Sequence, residues 1–193
     1  MIAHVLRRLQ PQVDDLRISS GPGSLAADHL PEDLRRFPCL PDAEPRFRGP
    51  LAGLAVGLAA LAEQAAREAG RDPKPAWLQL APCDAPFLPL DLVERLIPRP
   101  GSNPDGNDQV IVPRVQDRLQ PTFAAWHVSA LEPVRSALAQ RGGAGLLDVL
   151  RQLPHRVIDW PATTPPGFFN VNTREDLAQA SDWLQSRKDS ASG

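Results

Sequence analysis

Asp84 closes a short apolar run, Trp77-Leu78-Gln79-Leu80-Ala81-Pro82-Cys83-Asp84, and continues into Ala85-Pro86-Phe87-Leu88-Pro89, so that prolines stand on both sides of it. A near-continuous apolar run of this length reads as a buried parallel strand, and in open α/β sheets ligands bind just beyond the carboxyl ends of such strands. Proline fixes φ, so the carboxylate is presented in one direction, as a ligand for a hard cation must be. Two readings stand at this point: a Mg²⁺ site, or a carboxylate that caps a helix starting near Pro89.

Further polar groups are expected at the same edge. Ser19-Ser20-Gly21 follows one short strand, and Asp42 with Gly49-Pro50 follows another. In a nucleotide site these two loops would meet base and ribose, while Asp84 held a Mg²⁺ bridging phosphate oxygens, because phosphoryl transfer depends on positioning and charge neutralisation. Asn170 and Asn172 flank Val171, so on an extended segment both amides share one side and can orient a ligand or cation; the alternative is that they cap the entry to the last helix. Gln120-Pro121-Thr122 either sets a polar side chain at a strand start or simply forms a turn. Gly21-Pro22-Gly23 is not a phosphate-binding loop, and the glycines at 142–145 lack a following Lys-Ser/Thr, so both read as turns. His4, His29, His127 and His155 form no catalytic spacing. Cys39 and Cys83 lack any CxxC or Cys/His pattern and read as reduced thiols.

The elements that must position these groups alternate. Ile2, Val5, Leu6, Leu9 and Val13 recur at helical spacing without a capping residue before them. Leu16–Ser19 and Phe37–Leu40 read as short strands, and Leu51–Ala62 as a helix apolar on nearly every face, with Gly53 and Gly57 permitting close backbone packing. A helix at Asp91–Ile97 is followed by a Pro/Gly/Asn-rich loop at 98–108. Gln109–Arg114 and Pro121–Trp126 predict an antiparallel hairpin about Gln116-Asp117-Arg118. Helices at Ser129–Gln140 and Leu146–Leu153 precede a strand at His155–Trp160. Thr173, with an acidic residue three positions on, predicts a capped final helix whose apolar stripe is Leu177, Ala180 and Leu184. The pattern indicates a three-layer α/β domain with a mostly parallel sheet, spanning 1–186, with a disordered tail at 187–193.

The chain has 193 residues, 42% hydrophobic and 23% charged, enough for one domain with a real core. A net charge of −2 speaks against a nucleic-acid partner. No apolar run has the length of a membrane span, and the opening Met1–Leu9 stretch is too short for a signal peptide, so a cytoplasmic protein with no membrane association is expected. Lysine occurs only at 74 and 188.

Gly49-Pro50-Leu51-Ala52-Gly53, Pro82-Cys83-Asp84-Ala85-Pro86-Phe87, Gln120-Pro121-Thr122-Phe123-Ala124 and Phe169-Asn170-Val171-Asn172-Thr173, in this order and spacing, resemble the molybdenum cofactor guanylyltransferases. The resemblance implies a Rossmann-like nucleotidyltransferase that joins GMP from GTP to molybdopterin and releases pyrophosphate with Mg²⁺. It implies Asp84 as metal ligand and catalytic residue. Ser19, Asp42, Gly49 and Gly53 would contact the guanine nucleotide, and Gln120, Asn170 and Asn172 would lie toward the pterin. Molybdoenzymes or other cofactor-biosynthesis proteins are the implied protein partners.

The family opens with a strand and a glycine-rich loop of the LAGGxSxRMGxDK kind, and nothing in this sequence matches it. Ser19 and Gly21 stand where asparagine is usual, and Ala144-Gly145 where an arginine pair is common. The expectation is therefore a fold lacking its first strand and phosphate loop, with a start assigned to an internal methionine. Such a chain would lose charge-assisted hydrogen bonds of roughly 1.5–3 kcal/mol each. The alternatives are a cytidylyltransferase for the same cofactor, a sugar-phosphate nucleotidyltransferase, or a non-catalytic module that holds molybdopterin or a partner enzyme.

Overall fold

The computed structural model describes residues 1–20, 31–41, 49–67, 76–98, 107–140 and 144–191. Its organising element is the strand β4 (Val110–Val115), which opens on Val110-Ile111-Val112, all fully buried. β-Branched residues at successive positions suit a pleated strand covered on both faces. Three neighbours pair with it: β5 (Arg118–Leu119) and β6 (Ala125–His127) antiparallel, and β7 (His155–Asp159) parallel. β3 (Trp77–Gln79) adds to β6, also antiparallel, completing a five-stranded sheet. A separate parallel pair is made by β1 (Ile18–Ser20) and β2 (Cys39–Pro41).

The expected α/β class and three-layer arrangement hold, but the described pairings are mixed rather than mostly parallel. The reason is loop length. β4, β5 and β6 follow one another too closely for a parallel crossover, which needs a dozen or more residues, so β5 and β6 both return antiparallel along β4 as two pieces of one hairpin arm. Gln116 and Asp117 take positive φ of 47° and 63° to make the tight β4–β5 turn. The hairpin partner expected from Pro121 onward is thus corrected: Pro121–Phe123 is a 3₁₀ turn, and the strand begins at Ala125.

Period-two alternation sorts the sheet's side chains into two cores. Val110, Val112, Ala124 and Trp126 face α2 (Pro50–Arg67), α4 (Leu131–Ala139) and α5 (Leu146–Gln152). Ile111, Phe123 and Ala125 face α1 (Ile2–Leu9) and α3 (Leu92–Leu96). α2 lies close to both sheets because two glycines one turn apart meet them: an added Cβ would sit 2.7 Å from Ser19 Oγ at Gly53 and 2.6 Å from Leu78 Cδ1 at Gly57. α1 serves both sheets from the other face, Val5 and Leu9 in the core with Ile111 and Leu6 with Leu34 and Phe37 beside β1.

The final helix α6 (Arg174–Ala191) rests on Phe87 and Val171 through Ala180 and Trp183. Of the expected stripe Leu177, Ala180 and Leu184, Ala180 is buried as expected, but Leu177 and Leu184 are 51% and 37% exposed, and the partly buried indole of Trp183 packs in their place. Side chains from 187 on lie outside the described residues. Among the described residues no helix is long and apolar enough to cross a membrane.

His127 ends β6 and caps the following 3₁₀ turn: its Nδ1 accepts from Ser129 N at 3.3 Å and lies 2.9 Å from Ser129 Oγ, which places the neutral ring's proton on Nε2. The ring packs edge-on to Trp77, and burial holds its pKa below the ordinary histidine value. His4 is lowered as well, first by burial and then by the terminal ammonium, Arg7 and Arg8. The unfolded chain takes up these protons once pH drops below about 6.5, whereas the folded rings resist them. Stability present above that pH is therefore lost as pH falls through the folded values. The melting temperature is expected to drop between about pH 7.5 and about pH 5.5, and less so in His127→Asn, whose amide oxygen still accepts from Ser129; identical profiles would assign the loss to other groups.

Candidate functional site

The chain leaves β3 with Leu80 N donating to Ala124 O at 3.1 Å, then turns through Ala81–Cys83 to Asp84. Beyond it, Ala85 to Pro89 are all buried, so the carboxylate stands on a loop anchored by the core. Asp84 does not cap the next helix. α3 starts only at Leu92, behind Asp91, and the cap is supplied from 81 residues away: Gln12 Oε1 accepts from Val93 N at 3.0 Å, while Gln12 Nε2 donates to Pro89 O at 2.9 Å. Arg8 Nε donates to Leu88 O. α1 and the 3₁₀ turn that follows it thus pin the segment that carries Asp84. No spacing in the sequence signals this contact, because its partners are far apart along the chain.

Asn170 is brought to Asp84 by the backbone. Val171 N donates to Asp84 O at 2.9 Å, and Val171 is buried beneath α6. Asp84 Oδ1 and Asn170 Oδ1 are both buried and both without a hydrogen-bond partner. An unpartnered buried acceptor costs about 1–3 kcal/mol, more for a charged one, and two on adjoining loops are an arrangement that a cation relieves. One carboxylate and one amide oxygen, completed by water or phosphate oxygens, match the hard-oxygen donor set of Mg²⁺. The described residues contain no group of three His, Cys, Asp or Glu side chains that could hold a metal.

Asn172 is exposed whereas Asn170 is half-buried, and the bond Asn172 makes here is through its backbone. Its N donates to Asp176 Oδ2 at 2.9 Å, as does Thr173 N at 2.9 Å, and Asp176 N donates back to Thr173 Oγ1 at 3.1 Å. These bonds hold the Asp176 carboxyl below the usual range. The expected cap of the last helix is present, and it also fixes the segment following Asn170.

Ser19 and Gly53 are brought together as expected, Ser19 at the exposed end of β1 and Gly53 in the first turn of α2. Gly49 precedes that helix with φ of 94°, and among the described residues nothing lies within 4 Å of where its Cβ would be, which leaves space over the backbone at the helix entrance. Asp42 lies outside the described residues. Gln120 caps the 3₁₀ turn Pro121–Phe123 and folds toward its own hairpin, with Nε2 3.5 Å from Arg118 O. That turn is tied to β3 by Gln79, whose Nε2 donates to Phe123 O at 2.7 Å and Leu80 O at 2.8 Å, a contact sequence reasoning missed.

Residues 1–157 match the family model described as MobA-like NTP transferase domain. A protein from Rhodopseudomonas palustris named molybdenum cofactor guanylyltransferase is 35% identical over 181 residues, covering 93% of this chain and 77% of its own length. One of the same name from Mesorhizobium japonicum is 34% identical over 191 residues, covering 96% and 83%. The crystal structure of a molybdopterin-guanine dinucleotide biosynthesis protein A from Archaeoglobus fulgidus superposes with a TM-score of 0.63 at 20% identity, over 96% of this chain and 85% of that one. At that identity the likeness concerns the fold.

Thr173→Ala removes the hydroxyl that accepts from Asp176 N. It is expected to cost about 1 kcal/mol, or about 2–4 °C in melting temperature for a chain of this size, read by calorimetry; an unchanged melting temperature would show that the cap contributes nothing.

Proposed function

The chain belongs to the MobA-like NTP transferase family, and from that membership together with the Asp84–Asn170 pair we propose that it transfers GMP from GTP to molybdopterin and releases pyrophosphate, with Mg²⁺ as the required cation. Nucleotidyltransferase activity in molybdenum cofactor biosynthesis follows from the family. The acceptor, the products and the metal are the finer reading. The cation is carried by one observation, the unpartnered buried oxygens of Asp84 and Asn170 on loops joined by the Val171–Asp84 bond, and the acceptor and products are supported by the names of the relatives.

In this reading a phosphate oxygen of molybdopterin attacks the α-phosphorus of GTP, the bond from that phosphorus to the bridging oxygen breaks, and pyrophosphate leaves with the electron pair. A bound divalent cation supplies neutralisation of the charge that builds on the phosphate oxygens. Asp84 and Asn170 hold that cation, Asp84 by charge and Asn170 by its amide oxygen. Ser19 and Gly49 admit the nucleotide at the entrance of α2, where the absent Cβ of Gly49 lets backbone and ligand approach, and Gly53 lets Ser19 sit against the helix. Asp42 contacts the nucleotide, and Gln120 and Asn172 lie toward the pterin. The unpaired thiols of Cys39 and Cys83 suit a reducing cytoplasm.

Calorimetric titration with GTP, with and without Mg²⁺ and with CTP as the competing base, tests the choice of nucleotide. Mg²⁺-dependent binding selective for GTP supports the proposal, and equal or preferred binding of CTP transfers it to the cytidylyl alternative. Asp84→Asn keeps the side chain's volume and removes its charge. Pyrophosphate release is expected to fall at least about a hundredfold with the fold unchanged, and near-normal turnover would make Asp84 structural. Asn170→Asp separates two roles for the amide: as a cation ligand the new carboxylate tightens Mn²⁺ binding, whereas an amide that donates to Asp84 would be replaced by a repelling charge and binding would weaken.

A further inference from the structure

α6 places a single large aromatic side chain, Trp183, against the two loops that carry the acceptor pair. Its ring meets Phe87 at a centroid distance of 5.6 Å and an interplanar angle of 77°, and Phe169 at 5.1 Å and 82°. Phe87 lies three residues beyond Asp84, and Phe169 immediately precedes Asn170. The same two loops touch once more where Gly167 abuts Pro89, closely enough that an added Cβ would lie 2.9 Å from Pro89 Cγ. Otherwise they are joined by the Val171–Asp84 hydrogen bond and by Val171 and Ala180 packing with Phe87.

We propose that Trp183 is a positioning residue: wedged edge-on between Phe87 and Phe169, it fixes how far Asp84 and Asn170 stand apart and so sets the affinity of that pair for a divalent cation. The inference rests on the reading of Asp84 and Asn170 as cation ligands. A metal site tolerates donor displacements of only about 0.5 Å, and a backbone hydrogen bond between the loops fixes their height but not their tilt. The indole fixes the tilt, because both rings must lean the same way to keep their edge contacts. Removing it leaves a void into which either ring can turn, carrying a donor residue with it, while charge and donor identity stay unchanged. The start of α6 is secured independently by the Thr173–Asp176 cap, so the helix itself does not depend on Trp183.

Mn²⁺ alone, titrated into the full chain and followed by water-proton relaxation, reads the pair directly. The wild-type chain is expected to show saturable binding that Asp84→Asn abolishes. Trp183→Ala is expected to bind about tenfold more weakly, the usual cost of losing a residue that orients a ligand, and Trp183→Phe, which keeps an aromatic edge, to return close to wild type. Binding that Asp84→Asn leaves unchanged would overturn the cation reading and this inference with it. Asp84-dependent binding in the wild type with undiminished affinity in folded Trp183→Ala would overturn the positioning role alone. Should Trp183→Ala not fold, Trp183→Leu retains most of the volume without the ring, and the same weakening is expected of it; wild-type affinity in that variant overturns the proposal.

Discussion

The burial of β4 on both faces is the constraint from which the remainder follows. A strand whose residues alternate into two separate cores cannot shift by one position without exchanging Val110 and Val112 for Ile111, and so it fixes the register of every strand beside it. β6 takes its place through Val110 and Ile111, β3 takes its place from β6, and the loop bearing Asp84 leaves β3 at a height that the ladder has already set. On the other side β7 runs parallel to β4 over five paired positions and ends where Arg114 donates to both oxygens of Asp159, at 2.6 and 2.9 Å. That exposed pair adds little energy; it marks the end of the ladder.

The site is assembled by segments that the sheet does not reach. The loop at 82–89 is fixed from one side by Arg8 in α1 and Gln12 in the 3₁₀ turn that follows it, and from the other by the residues around 167–171 and the helix behind them. Three remote stretches of chain therefore determine where one carboxylate points. The prolines stiffen the loop, but the direction comes from these neighbours. Leaving two acceptors unpaired in the interior is tolerated only because so many other contacts hold the loops in place.

Much of this was legible. The α2 glycines and the Thr173 cap are local patterns in which residue type and spacing carry the structural information, and each is found where the pattern places it, whereas the run before Asp84, which reads as a buried parallel strand, is a half-buried strand of three residues, Trp77–Gln79, paired antiparallel with β6. Three features were not. The β6 start was misplaced because Pro121-Thr122-Phe123 has strand-like composition yet meets a tight 3₁₀ turn, held by Gln79 from a strand 44 positions away in sequence. The buried stripe of α6 was read from leucines, whereas the choice of face was made by Phe87 and Phe169, to which an indole offers more contact than a leucine. The Gln12 clamp joins partners 77 and 81 residues apart and leaves no trace in either segment. Among the candidate residues, Asp84 with Asn170 and Ser19 with Gly53 are brought together as pairs, while Gln120 is bound up in its own hairpin.

The glycines of α2 have a mechanical meaning as well. Among the described residues the β1–β2 pair and the five-stranded sheet share no strand pairing, and they are held side by side by α2 above and α1 below. Across this junction side chains pack against one another, with hydrogen bonds from Arg17 to Gln64 and from Arg36 to Gln10 at its exposed edge, and no ladder of backbone hydrogen bonds spans it. Ser19 stands on one side of this seam and Asp84 on the other. The span between them is thus set by helix packing and not by strand pairing, and a ligand that reached from one to the other would act as the missing rung.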